Sequence, residues 1–126
     1  FPFLAAAFAF PALAAERPAL TPEAAALLQR IDARKGEIAE VAGALWEFAE
    51  VGYKEEKSSA LLKDRLRTNG FAVEEGVAGI PTAFVASYGS GGPVIAILAE
   101  FDALPGINQD RQATRAPIEG KGAGHA

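Results

Sequence analysis

From position 21 onward, apolar residues recur at three- and four-residue spacing: Leu27, Leu28, Ile31, Ile38, Val41, Ala42, Leu45, Phe48 and Ala49. Only a polar interval around Arg34 and Lys35 breaks the series. That period lines one face of a helix. Thr21-Pro22-Glu23 supplies the start, with Thr as cap, proline where a missing N–H costs nothing, and an acid near the positive helix end. The pattern predicts one long amphipathic helix, bent near Gly36 and ending before Gly52. A second helix is predicted over about residues 55–68, with Leu61, Leu62 and Leu66 inward and Lys57, Lys63, Asp64 and Arg67 on a solvated face. Asn69-Gly70-Phe71 should stop it, because glycine takes a left-handed cap and Phe71 can fold back onto Leu66.

After Gly70 the period becomes extended. Residues 71–77 and 82–88 read as strands, the second holding Phe84 and Val85. Residues 93–99, Pro-Val-Ile-Ala-Ile-Leu-Ala, have no polar break and suit a strand buried on both faces of a covered sheet. Gly89-Ser90-Gly91-Gly92 should turn the chain between the second and third strands. Two helices followed by three strands, the last fully buried, predict an α/β layered domain. Beyond Pro105 the period is lost, and a run of that length without structure is usually functional or disordered.

Composition divides the chain. Residues 1–15 are apolar at thirteen positions and hold four of the eight Phe, while every charged residue lies at Glu16 or later. The stretch matches the apolar core of a signal peptide, and Ala12-Leu13-Ala14 offers the small residues a signal peptidase reads. It is too short to span a bilayer, so no stable membrane anchor is expected. We read residues 1–15 as a leader remnant and expect export, to a periplasm or outside the cell, with a mature chain from near Ala15 or Glu16. A buried Ala-rich helix in a cytoplasmic protein is the alternative. A chain that opens on Phe1 and holds no Met is expected to be a processed product or a piece of a longer one. The net charge of −4 gives no basic footprint, which argues against nucleic-acid binding. With no Cys, there is no disulfide framework within these residues.

The sharpest chemical feature is Glu100-Phe101-Asp102-Ala103-Leu104-Pro105, two carboxylates at i, i+2 that close the most apolar run. Period two puts both on one face, and ligands of α/β sheets bind at the carboxyl ends of strands. Acids that merely end a strand in solvent are an equal reading. Gly120-Lys121 is not a phosphate loop, since Gly122 follows and Arg115 occupies the first glycine position. Ser90 lacks the preceding glycine of a nucleophile elbow, because Tyr88 stands there. One His and no Cys cannot assemble a zinc site from the usual ligands.

Three segments occur in register: Leu45-Trp46-Glu47-Phe48-Ala49-Glu50-Val51-Gly52-Tyr53-Lys54-Glu55-Glu56, Ala99-Glu100-Phe101-Asp102-Ala103-Leu104-Pro105-Gly106 and Gly122-Ala123-Gly124-His125-Ala126. Together they resemble the metal-dependent amidohydrolases of the aminoacylase and carboxypeptidase superfamily, most closely its aminobenzoyl-glutamate hydrolase B-subunit group, over about residues 21–126. The resemblance implies that residues 16–126 are the N-terminal, incomplete portion of a three-layer α/β/α di-metal peptidase domain. It implies that Asp102 is the acid that orients a metal-binding His, and so the candidate catalytic residue. Glu100 and His125 would line the site. Glu100 stands where many relatives have a metal-binding His, and His125 matches the first, usually non-ligating His of a Gly-His-x-Cys-Gly-His element. No metal ligand is therefore assigned within these residues. The longer protein would use two divalent ions, zinc or manganese, to cleave a small-molecule amide such as an N-acyl amino acid, a dipeptide or aminobenzoyl-glutamate. It would also form homo- or hetero-oligomers, while the 126-residue chain alone would be inactive. The competing reading is a non-catalytic exported α/β binding module, in which Glu100 and Asp102 hold a cation or a ligand amine.

Overall fold

In a computed structural model, the structure describes residues 19–125; the expected leader at residues 1–15 lies outside them. The chain divides into two units, residues 1–33 and 34–126. In the first, helix α1 spans Pro22–Ala33. Thr21 caps it as its sequence predicts: its hydroxyl accepts the Ala24 N–H at 3.2 Å and its carbonyl accepts the Ala25 N–H at 2.9 Å. No helix among the described residues is long and apolar enough to cross a membrane.

The single long helix expected from the apolar series is instead two. The period is interrupted at Arg34, and helix α2 spans Lys35–Phe48 with Gly36 inside it. The break falls in the polar interval, where no apolar side chain demands continuity. There the Arg34 guanidinium donates to the Asn69 side-chain carbonyl at 2.9 Å, tying the start of α2 to the end of the next helix. Helix α2 ends at Ala49, which is left-handed at φ 46° and donates to the Leu45 carbonyl at 3.1 Å.

Helix α3 spans Glu56–Thr68, close to its predicted range. Gly70 at φ +86° donates to Arg67 at 2.9 Å and Phe71 donates to Leu66 at 3.1 Å. These are the paired bonds of a Schellman stop. The Phe71 ring, however, packs on Tyr88, with centroids 5.1 Å apart.

Strand β1, Ala72–Glu75, pairs antiparallel with β2, Phe84–Ser87, and Glu75 lies opposite Phe84. Lys63 and Arg67 both pair with Glu75, so α3 is fastened to this hairpin. These two cations therefore leave the plain solvated role expected of the α3 charges, and Lys63 is largely covered.

The third strand expected at residues 93–99 does not form. Val94, Ile95, Ile97 and Leu98 are 85–92% exposed, and no described strand pairs with them. A run apolar on both faces needs a neighbour at each edge and a helix on each face, and the described residues supply neither. The described residues are thus mixed α/β, with three α-helices and short antiparallel strands.

Residues 104–124 are ordered rather than structureless. Strands β3, Leu104–Pro105, and β4, Ala123–Gly124, pair antiparallel and close the stem of a compact loop. Within it, Gln109 bridges antiparallel to Pro117, flanked by bonds from the Asp110 N–H to the Ala116 carbonyl and from the Ile118 N–H to the Asn108 carbonyl. The Gln109 side-chain amide adds to this by donating to the carbonyls of Asp110 and Thr114 and accepting the Ala116 N–H. Gly124 is required at the stem, since a Cβ there would lie 2.9 Å from the Ile107 carbonyl oxygen.

Candidate functional site

The site is built on the turn after α2. Lys54 N–H bonds to the Val51 carbonyl at 2.9 Å, closing a turn through Gly52 and Tyr53. Val51 pairs in parallel with Ala103, whose N–H donates to the Glu50 carbonyl at 2.7 Å. Ala103 is fully buried, so the segment that holds Asp102 is pinned against residues 50–52.

Three carboxylates flank this turn without converging, and they have different surroundings. Glu50 accepts the Lys57 N–H at 3.0 Å and both the Ser58 N–H and hydroxyl at 2.8 Å. Burial pushes its pKa up, but the bonds from Ser58 and Lys57 outweigh that and hold it below the ordinary carboxylate range. Glu55, buried, takes the Thr82 hydroxyl at 2.7 Å, while the Thr82 carbonyl takes the buried Ser59 hydroxyl at 2.8 Å. Asp102 is half-buried beside Gly52: a Cβ on that glycine would lie 3.6 Å from Asp102 Oδ2 and 4.0 Å from Glu55 Oε1. Among the described residues Asp102 has no hydrogen-bond or ion-pair partner.

Glu100 lies in the exposed run, away from any strand, and its carboxylate also has no partner among the described residues. No strand pairing among the described residues fixes Glu100 and Asp102 relative to each other. His125 follows Gly124, the residue opposite Leu104, so the β3–β4 stem brings its segment beside that of Asp102. Its Nε2 is buried and has no hydrogen-bond partner among the described residues.

Whether these groups suit a metal is decided by their grouping: among the described residues, no three His, Asp or Glu side chains converge on one point. Asp102, Glu55 and His125 do not make a ligand set by themselves, and no chemical step is assigned to a metal on their account.

The stem loop is held to α2 through Trp46. Lys121 Nζ lies 3.4 Å from the indole centroid and the Arg111 guanidinium carbon 4.5 Å from it. Arg111 also pairs with Glu47 at 2.7 Å and donates to the Gly43 carbonyl at 3.3 Å. Sequence reasoning singled out Asp102, Glu100 and His125 but missed Glu50, Glu55, Thr82 and this clamp. The pair Ser58-Ser59 near the start of a helix, separated from Glu55-Glu56 by Lys57 alone, was the available signal for the first three.

A carboxylate without a partner among the described residues thus stands beside the glycine turn, and the β3–β4 stem brings the segment of His125 next to its own. The chain is 38% identical over 100 residues to the B-subunit of p-aminobenzoyl-glutamate hydrolase from Escherichia coli (strain K12), a match covering 75% of this chain and 21% of that protein. It is 44% identical over 61 residues to thermostable carboxypeptidases 1 and 2 of Saccharolobus solfataricus, covering 47% of this chain and 15% of each. The chain belongs to this amidohydrolase and carboxypeptidase group, and it spans about a fifth of the length of the first relative. No family model matches the chain.

Proposed function

We propose that the chain is part of a longer metal-dependent hydrolase that cleaves the amide or peptide bond of a small N-acyl amino acid or dipeptide, such as aminobenzoyl-glutamate. The observation that carries this reading is the identity to a hydrolase over 75% of the chain, with two carboxypeptidases matching over 47% of it. Residues 16–126 are then the N-terminal portion of a three-layer α/β/α peptidase domain. The exposed run at 93–99 would be its central strand, covered by the rest of that domain.

In this reading Asp102 is the catalytic-site acid. Its free carboxylate would accept a ring N–H from a His elsewhere in the longer protein, fixing that ring and raising its basicity. Glu100 and His125 would line the same site. Two divalent ions, zinc or manganese, would supply Lewis acidity and an activated water when bound. Their ligands would be residues beyond those described, so this chain should show no hydrolysis and no stoichiometric zinc uptake. We further propose an exported protein, a leader at residues 1–15 and an oligomeric whole, with no nucleic-acid partner.

The test is hydrolysis of aminobenzoyl-glutamate and of a panel of N-acyl amino acids by the longer protein, followed by release of the free amino acid. Cleavage of any member supports the proposal. Binding without cleavage across the panel favours the non-catalytic binding module instead.

A further inference from the structure

We infer that Glu50 is a positioning residue for Asp102, joining the start of α3 to the segment on which Asp102 sits; this rests on the hydrolase reading above. The residue that precedes α3 is Glu55, yet its side chain makes no cap bond, being turned to Thr82. The open N–H groups in the first turn are taken by Glu50 from outside the helix, through both carboxylate oxygens. The Ser58 hydroxyl adds a third bond to one of them. Charge-assisted bonds of this kind are short and roughly twice as strong as neutral ones.

The main chain of the same residue does a second task. Its carbonyl accepts the Ala103 N–H at 2.7 Å, and the next residue, Val51, pairs with Ala103. The following residue is Gly52, beside which Asp102 Oδ2 stands. Side chain and carbonyl belong to one residue, so a carboxylate that leaves α3 frees its backbone to rotate. Rotation moves the carbonyl off Ala103 and shifts Asp102, its neighbour. A residue serving only as a helix cap would lack this second effect.

The experiment compares wild type with Glu50→Gln, which keeps one acceptor oxygen, and Ser58→Ala, which removes only the hydroxyl bond. Amide hydrogen exchange of this chain is read residue by residue. The expected result for Glu50→Gln is about tenfold faster exchange at Lys57, Ser58 and Ala103 together, with Gly76 and Phe71 unchanged as controls for the hairpin and the α3 stop. Ser58→Ala should show the same trio to a smaller degree. Acceleration at Lys57 and Ser58 with Ala103 unmoved overturns the proposal, as Glu50 is then a cap alone. In the longer hydrolase, Glu50→Gln should lower kcat about tenfold with KM unchanged, and an unchanged kcat overturns the positioning role. If the wild-type protein cleaves nothing, the hydrolase reading falls, while the exchange at Ala103 still decides the coupling of Glu50 to that segment.

Discussion

Replacing Thr82 with valine removes one hydroxyl and almost no volume, and isolates the hydrogen bond that fixes Glu55. Thr82 is 7% exposed, Glu55 is 8% exposed, and the bond between them is 2.7 Å. Valine fills the same space, so no cavity arises, and the carbonyl of residue 82 still accepts the Ser59 hydroxyl. What remains is a carboxylate out of water with its donor removed. A buried polar group that loses its partner costs about 1–3 kcal/mol, with charged groups at the upper end, so we expect a loss of about 2–3 kcal/mol. Glu55→Gln, which can still accept from Thr82, should cost about 1 kcal/mol or less. In the double variant the two effects should fall short of additive by more than about 0.5 kcal/mol, the sign of a direct interaction. Urea denaturation of the chain at pH 7, followed by circular dichroism, gives all four values. A Thr82→Val stability within about 0.5 kcal/mol of wild type would refute the reasoning, because surface substitutions fall in that range.

Three further outcomes are expected. Because the folded Glu50 carboxyl sits below its ordinary value, its stabilisation is complete above the ordinary carboxylate range and fades as pH falls through the lowered folded value; the difference in urea midpoint between wild type and Glu50→Gln should therefore shrink in acid. Lys121→Gln and Arg111→Gln should each loosen the stem loop by about 0.5–1 kcal/mol, shifting the emission of Trp46, the single tryptophan, and speeding proteolysis within residues 106–122. Val94→Lys with Ile97→Lys should leave the stability of this chain within about 0.5 kcal/mol while reducing self-association in sedimentation, and a large loss of stability would mean that the run is covered.

What could be read from the sequence follows from how local each signal is. The Thr21 cap, the Gly70 stop and the extended β1 and β2 depend on residues a few positions apart, and the structure places them where the pattern does. The run at 93–99 is different: its period says that both faces want cover, but cover comes from other elements, and none is present among the described residues. The helix break at Arg34 is marked only by a polar interval, whereas the more conspicuous Gly36 lies inside α2 without ending it. The order in residues 104–124 was invisible because it rests on short backbone pairings with no apolar alternation, on one glutamine side chain and on cations stacked on a distant Trp46. At the turn after α2, the motif singles out Asp102, and the structure places it beside Gly52. The contacts of Glu50 and Glu55 were not legible, since the two acids look alike in sequence and meet different donors only once the turn between them is folded.

The central claim is that Asp102 serves the chemistry of an amide hydrolase rather than the stability of its scaffold. The most direct test is turnover of aminobenzoyl-glutamate, or of the best N-acyl amino acid found, by the longer protein with Asp102→Asn, alongside its urea midpoint. We predict kcat reduced by about tenfold or more with the midpoint nearly unchanged, the range seen when a partner of a metal-ligating His is lost. Wild-type turnover in Asp102→Asn would contradict the claim.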